Sequence, residues 1–346
     1  MTDATSDDRS VSGTGGGPRV IAFLNQKGGV GKTTSTVNIG HAIAQTGRRV
    51  CLIDLDPQAH LSLHLGVDGN EEDADGRRQP TVYDVLVDPE CPADAAIRRE
   101  VRPNLDVLAA EVDLAGAESE LAALPDRQHR LPRKFAAVRD RYDLVLIDCP
   151  PSLGLLTLNA LTLATEIFVP MQAHFLALQG VGRLLETVGL VSRSVNPGLR
   201  VTGIILCMHE AQTSLAKEIV ADLDAFFHQA REQPVPWSTC RVLRPPIRRN
   251  IKVAESPSFG GSIFDYAPWC PGALDYRKLV QQLLKDWGME PLAIRPALRK
   301  SSGTTGAADR KGSALIEVTR PLPHDAAGGE HGAASGQEIR GHDSSG

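Results

Sequence analysis

The sequence predicts a doubly wound α/β fold: a mostly parallel sheet flanked by helices on both faces. Three observations carry that expectation. From residue 19 to about 288, short runs that are apolar throughout alternate with helix-like segments, as buried parallel strands and their crossovers do. The first run, Val20-Ile21-Ala22-Phe23-Leu24, leads directly into the glycine-rich segment Asn25-Gln26-Lys27-Gly28-Gly29-Val30-Gly31-Lys32-Thr33-Thr34 and then into a helical pattern. Two later runs end on an aspartate, Asp54 and Asp148, at the strand ends where such sheets bind ligands.

In chain order, strands are expected at 19–24, 49–54, 105–108, 143–148, 166–170 and 200–207. Helices are expected between them at about 33–46, 113–123, 152–164, 176–194 and 213–229. Leu279, Val280, Leu283, Leu284 and Trp287 recur at helical spacing and predict a closing helix over 274–287. Residues 1–18, rich in Ser, Thr, Gly and Asp, read as a disordered leader. Residues 289–346 are rich in Gly, Ser, Ala and Pro and read as a flexible low-complexity tail, leaving 19–288 as the folded domain. The fragment Ala314-Leu315-Ile316-Glu317-Val318 is too short for a membrane-lying helix and reads as an incidental apolar cluster.

The strand–loop–helix context is the one a phosphate-binding loop requires. Gly28, Gly29 and Gly31 let backbone N–H groups approach a phosphate chain, with Val30 between them, and the following helix N-terminus favours negative charge. Lys32 is placed to reach the β- and γ-phosphates, and the Thr33 hydroxyl to ligate Mg²⁺. The loop departs from the standard motif: Gln26 stands where a glycine is usual, and a second lysine, Lys27, follows it. A lysine so early in the loop suits a phosphate across a dimer interface, acting in trans as an arginine finger does.

Asp54 and Asp56 lie two residues apart, on one side of a strand end. Asp56 is placed to orient or deprotonate the attacking water, and Asp54 to hold the metal's water shell. The apolar run ending in Asp148 fits a carboxylate serving Mg²⁺ through water. Pro150 and Pro151 stiffen the loop after it, and Ser152 is expected to cap the next helix.

Composition excludes several classes. Of 346 residues, 42% are hydrophobic and 23% charged, as in soluble globular chains, and the net charge of −5 gives no global attraction to nucleic acid or anionic membrane. The six cysteines (51, 91, 149, 207, 240, 270) show no paired spacing, which argues against disulfides and a zinc site and fits a reducing cytosol. The N-terminus lacks the apolar core of a signal peptide, and no apolar stretch approaches the roughly 18 residues of a membrane span.

Taken together, Gln26–Thr34, Asp54–Gln58, Asp148–Ser152, Pro170-Met171-Gln172 with Ala177-Leu178-Gln179-Gly180, and Asn250–Gly260 resemble the ParA/Soj family of chromosome- and plasmid-partition ATPases. These belong to the deviant-Walker-A class that also contains MinD. The resemblance covers about residues 19–287. It implies an ATP-dependent, Mg²⁺-requiring sandwich dimer that hydrolyses slowly and binds double-stranded DNA nonspecifically. A ParB-like activator would release it, and it would act in the cytoplasm on the nucleoid. By the same resemblance Lys27 is the signature lysine, Lys32 the Walker lysine, Thr33 the Mg²⁺ ligand, Thr34 a phosphate contact and Asp56 the hydrolysis-linked carboxylate. Met208, Pro246 and Asn250 fall in the family's adenine-contacting segments.

The chain departs from the family at three points. Arg248-Arg249-Asn250 replaces the usual Pro-Arg-Asn, with Pro246 placed to compensate. His174 replaces the acidic residue of the Gln-x-Glu segment. Gln212 stands near a missing arginine that relatives use for DNA. Against that loss, Arg241, Arg244, Arg248, Arg249 and Lys252 lie within twelve residues with no acidic residue among them. Such a cluster can neutralise phosphates; Arg248, Arg249 and Lys252 are its expected DNA contacts. Other readings are a related switch positioning another cargo over the nucleoid, a MinD-like membrane-surface regulator and an iron–sulfur reductase. The membrane-surface reading needs a C-terminal amphipathic helix that GQEIRGHDSSG does not offer, so no stable membrane association is expected. The reductase reading needs a second suitable cysteine besides Cys149.

Overall fold

The computed structural model describes residues 17–72, 75–174 and 177–289. The leader's residues 1–16 and the tail's 290–346, with its fragment at 314–318, lie outside the described residues. Eight strands form one sheet: β1 (Arg19–Phe23), β2 (Val50–Asp54), β3 (Ile97–Arg102), β4 (Leu105–Leu108), β5 (Leu144–Asp148), β6 (Glu166–Met171), β7 (Arg200–Leu206) and β8 (Arg241–Val242). Their order across the sheet is β3-β4-β2-β5-β1-β6-β7-β8, parallel except for the antiparallel β3–β4 pair.

The central strands are apolar throughout because both faces are covered. Val20, Ala22, Cys51, Ile53, Val145 and Ile147 enter one buried cluster. Ile21, Phe23, Val50, Leu52, Leu144 and Leu146 enter the other. The strand period of two therefore survives as a division between two cores rather than as apolar against polar.

The six expected strands and the five interleaved helices are present, with ends shifted by three residues at most. The closing helix runs Pro271–Asp286. Two strands escaped the sequence reading. β3, Ile97-Arg98-Arg99-Glu100-Val101-Arg102, is an edge strand in which four of six residues are charged, with Arg98 buried against the Pro80 carbonyl and Arg102 paired with Asp265, so it lacks the apolar signature. β8 has two residues. The helix Arg130–Arg139 was also missed, although Leu131, Phe135 and Val138 bury one face at helical spacing; Pro132 in its first turn hid it. Ser152 does not cap the next helix, correcting that expectation. The helix starts at Leu155 with Gly154 as N-cap, and Glu118 from the Leu114–Ala122 helix accepts from Leu156 N at 3.3 Å instead.

The topology gathers the functional motifs at one edge. β1 lies between β5 and β6, so the glycine-rich loop leaves the sheet where the crossovers diverge to opposite sides. Phe23 and Asp54 both pair in register with Asp148.

Two histidines are buried, His41 within the loop's helix and His64 in the short helix after β2. His41 Nδ1 lies 2.6 Å from Ser262 Oγ, and burial lowers the pKa of His64 to about 4. A base kept neutral in the fold but free to protonate when unfolded stabilises fully above about 6.5 and progressively less toward 4. Asp54, pushed up to about 6 by burial, acts with the opposite sign. The difference between the parent protein and His64→Gln isolates the histidine. From urea unfolding, the parent's advantage should shrink by about 2–3 kcal/mol between pH 7 and pH 4; a constant difference would show a solvated imidazole.

Candidate functional site

Two of the loop's glycines are held in a left-handed conformation, Gly29 at φ 70° and Gly31 at φ 96°. A Cβ at Gly31 would also lie 3.1 Å from Cys207 Sγ. At Gly28 and Gly29 a Cβ would meet no atom within 4 Å, so the outer wall of the loop is open space. Gly31 is the N-cap of the Lys32–Ala44 helix, no side chain caps it, and its first turn carries no acidic residue. Open glycines and uncapped N–H groups are what an incoming phosphate chain needs.

The loop is braced from β6 and its extension. Asn25 Nδ2 donates to Pro170 O at 2.8 Å, while Asn25 Oδ1 accepts from Lys27 N at 3.0 Å. Gln172 Nε2 reaches Gly29 O at 3.3 Å and Met208 Sδ at 3.3 Å. The two lysines part company. Lys32 is buried and donates to Lys27 O at 3.3 Å. Lys27 is exposed, with Nζ 2.6 Å from His174 Nε2. Thr34 lies in the helix's first turn, where its carbonyl accepts from Asn38 Nδ2.

Asp148 is fully buried at the end of β5. Its Oδ2 accepts from Thr33 Oγ1 at 2.6 Å, and its Oδ1 is buried with no hydrogen-bond partner. Burial, then the neighbouring Asp54, raise the carboxyl well above its usual range. An orphaned carboxylate oxygen beside a threonine hydroxyl fits a hard divalent cation. Thr33 and Asp148 are the residues that would hold Mg²⁺, which supplies positive charge for phosphate oxygens.

Asp54 is engaged by three donors at the end of β2. Its Oδ1 accepts from Asp56 N at 3.2 Å, and its Oδ2 from Ser62 N at 2.9 Å and Ser62 Oγ at 2.8 Å. It is fully buried and anchors the turn that presents Asp56. Asp56, 9% exposed, closes the turn through Oδ1, which accepts from Gln58 N at 3.0 Å. Ser62 was missed by the sequence reading, because nothing local marks a serine eight residues on as a partner.

Met208 and the 246–250 loop are neighbours: Ile247 N donates to Leu206 O and His209 N to Ile247 O. Pro246 is half-buried there, and Asn250 Oδ1 caps the Ile251–Glu255 helix by accepting from Lys252 N. Gln172 ties this wall to the loop.

An AAA domain family matches residues 18–201. The chromosome partitioning protein ParA of Caulobacter vibrioides is 41% identical over 268 residues, 77% of this chain and 94% of that protein. The sporulation initiation inhibitor protein Soj of Bacillus subtilis is 40% identical over 265 residues, 77% and 98% of the two chains. This chain belongs to the ParA/Soj family of partition ATPases. A crystal structure of Mycobacterium smegmatis cobyrinic acid a,c-diamide synthase, with a bound ATP analogue and magnesium, is 35% identical; it covers 80% of this chain and 98% of its own, with a TM-score of 0.62. As a P-loop member of that family the chain is an ATP-hydrolysing enzyme, and its cofactors are ATP and Mg²⁺.

The reductase alternative loses its support. Cys149 is fully buried and burial pushes its thiol up, away from the thiolate a cluster needs. No helix among the described residues is long and apolar enough to cross a membrane.

The basic cluster needs correction. Its sequence window holds no acid, but the fold brings one to every cation. Arg241 pairs with Asp286, Arg244 with Asp224 at 2.8 Å, Arg249 with Glu210 at 2.9 Å and Lys252 with Glu255 at 2.8 Å. Arg248 forms a two-pronged pair with Asp275, whose side chain is only 4% exposed. Arg248 thus has a buried structural partner, which distinguishes it from the other cations of the cluster.

Thr33→Val removes both the donor to Asp148 and the hydroxyl offered to Mg²⁺. Nucleotide affinity measured with Mg²⁺ should fall at least about tenfold, as loss of a metal-site contact does. Affinity in EDTA should change little. Equal losses in both would place Thr33 outside the metal site.

Proposed function

We propose that this chain is an ATP-dependent dimerising switch for chromosome or plasmid partition, with residues 19–288 as its ATPase domain. ATP brings two subunits together, the dimer binds double-stranded DNA without sequence preference, and a ParB-like activator speeds hydrolysis and ends the bound state. It works in the cytoplasm, on the nucleoid.

The observation that supports this best is the divergence of the two loop lysines. Lys32 turns inward, beneath its own loop. Lys27 projects from the loop's outer side. A cation so placed serves a phosphate delivered from outside the subunit, the task of an arginine finger. Asp56 is the carboxylate that orients water. With Lys27's partner missing in the monomer, turnover alone is slow, below the enzyme median of about 10 s⁻¹.

The relatives' partition role brings DNA into the proposal. Arg249 and Lys252 are its carriers here. The Arg249 pair is exposed and the Lys252 pair half-exposed, so water and salt screen them and a phosphate can take the cation over.

Sedimentation should give a monomer with ADP and a dimer with ATP for Asp56→Ala, in which hydrolysis is slowed. The same mass under both conditions would refute the switch. Lys27→Ala should abolish hydrolysis and keep nucleotide binding, whereas Lys32→Ala should weaken binding itself.

For DNA, Glu210→Gln frees Arg249 and should tighten ATP-dependent binding. Reversing Arg249 and Lys252 to Glu should weaken it and flatten the dimer's log–log salt slope by roughly 3–4. A double variant that dimerises and keeps the parent affinity and slope would move DNA binding to another surface.

A further inference from the structure

We propose that His174 is a positioning residue that holds Lys27 in reserve until ATP-driven dimerisation claims it. The inference rests on the switch reading above and names what controls Lys27 before the partner arrives.

Residues at spacing two along β6 and its extension each hold a different loop residue. Pro170 O accepts from Asn25, Gln172 donates to Gly29 O, and His174 Nε2 lies 2.6 Å from Lys27 Nζ. The first two contacts fix loop backbone or its buttress. The third holds only a side-chain tip. An ammonium has donors alone, so Nε2 is the acceptor and the ring proton sits on Nδ1. The imidazole is therefore neutral in this pairing. Lys27 and His174 also stand at the mouth of a cavity of about 120 Å³ floored by Val30, Val169, Met171, Val181 and Leu184. The lysine is thus held over an apolar floor, with no carboxylate hydrogen-bonded to it among the described residues.

A neutral acceptor makes a weaker catch for Lys27 than a carboxylate would. A partner's phosphate, carrying full charge, wins the lysine easily. His174 thus sets how much ATP is needed to form the dimer, without touching how the monomer's own loop holds nucleotide.

The test measures the ATP concentration at half-dimerisation by sedimentation, and ADP affinity by calorimetry, in the full-length protein carrying Asp56→Ala. His174→Ala should lower the ATP midpoint about three- to tenfold, the net worth of one ordinary solvent-exposed hydrogen bond. His174→Glu should raise it several-fold, and His174→Gln, which keeps a neutral acceptor, should restore the parent value. ADP affinity should stay within twofold throughout. If the alanine and glutamate variants shift the midpoint in the same direction, or neither shifts it, His174 is no latch although the switch stands. If ADP affinity falls in parallel, His174 only supports the loop, which also overturns the proposal. If the parent does not dimerise with ATP, both this inference and the switch fail.

Discussion

The hydrogen bond from Thr33 to Asp148 is the interaction on which the site's architecture turns. It joins the first turn of the loop's helix to the end of a central strand, and it does so with a carboxylate wholly removed from water. A buried carboxylate with one oxygen bonded and the other orphaned is costly unless a cation completes it. The carboxyl's raised proton affinity is the same cost seen another way: without the cation, burial and the neighbouring Asp54 favour the neutral acid. Metal binding and the geometry of the loop are therefore linked. Whatever fills the position beside Asp148 also fixes Thr33, and with it the start of the helix whose N–H groups face the phosphates.

Asp54 shows how the second strand end supports the first. Its three hydrogen bonds, to Asp56 N and to both donors of Ser62, place Asp56 at the sheet's carboxyl edge with little freedom. Ser62 Oγ in turn accepts from Ala110 N, which carries the constraint to the segment after β4. A carboxylate that orients water must be held within hydrogen-bond reach of the reacting atoms. In the role proposed for Asp56, that holding would be done by a second carboxylate that is fully buried. The two aspartates lie two residues apart in the sequence, and the fold divides them into one wholly buried and one at the surface of the site.

That division marks how far the sequence could be read. The strands, the main helices, the loop and the strand-end aspartates were legible because each rests on a local pattern: an apolar run, a helical spacing, glycines at fixed offsets. What was missed depends on groups distant in the chain. Glu118 rather than Ser152 meets the helix at Leu156, from 38 residues away. β3 pairs at the edge with a charged sequence, so hydropathy alone hides it. The basic window showed its own cations faithfully and nothing of Asp275, Asp286, Asp224 or Glu210, which three other elements supply.

Those carboxylates change the physics of the surface more than its composition. A bare cluster of five cations would attract polyanions at all times, and its attraction would depend only on salt. A cluster with each cation already paired has little net field at a distance, so in the proposed role a single subunit would hold DNA weakly. Binding would then require several pairs to exchange partners together, which would favour a surface presented in two copies over one presented once. Arg248 cannot take part in that exchange without leaving Asp275 buried and unpaired. It also ties the 246–250 wall to the closing helix. Its neighbour Arg249 sits on an exposed pair, and Lys252 on a half-buried one that Tyr266 also holds. The same short segment thus carries one cation committed to the fold and others that remain exchangeable, and only the fold distinguishes them.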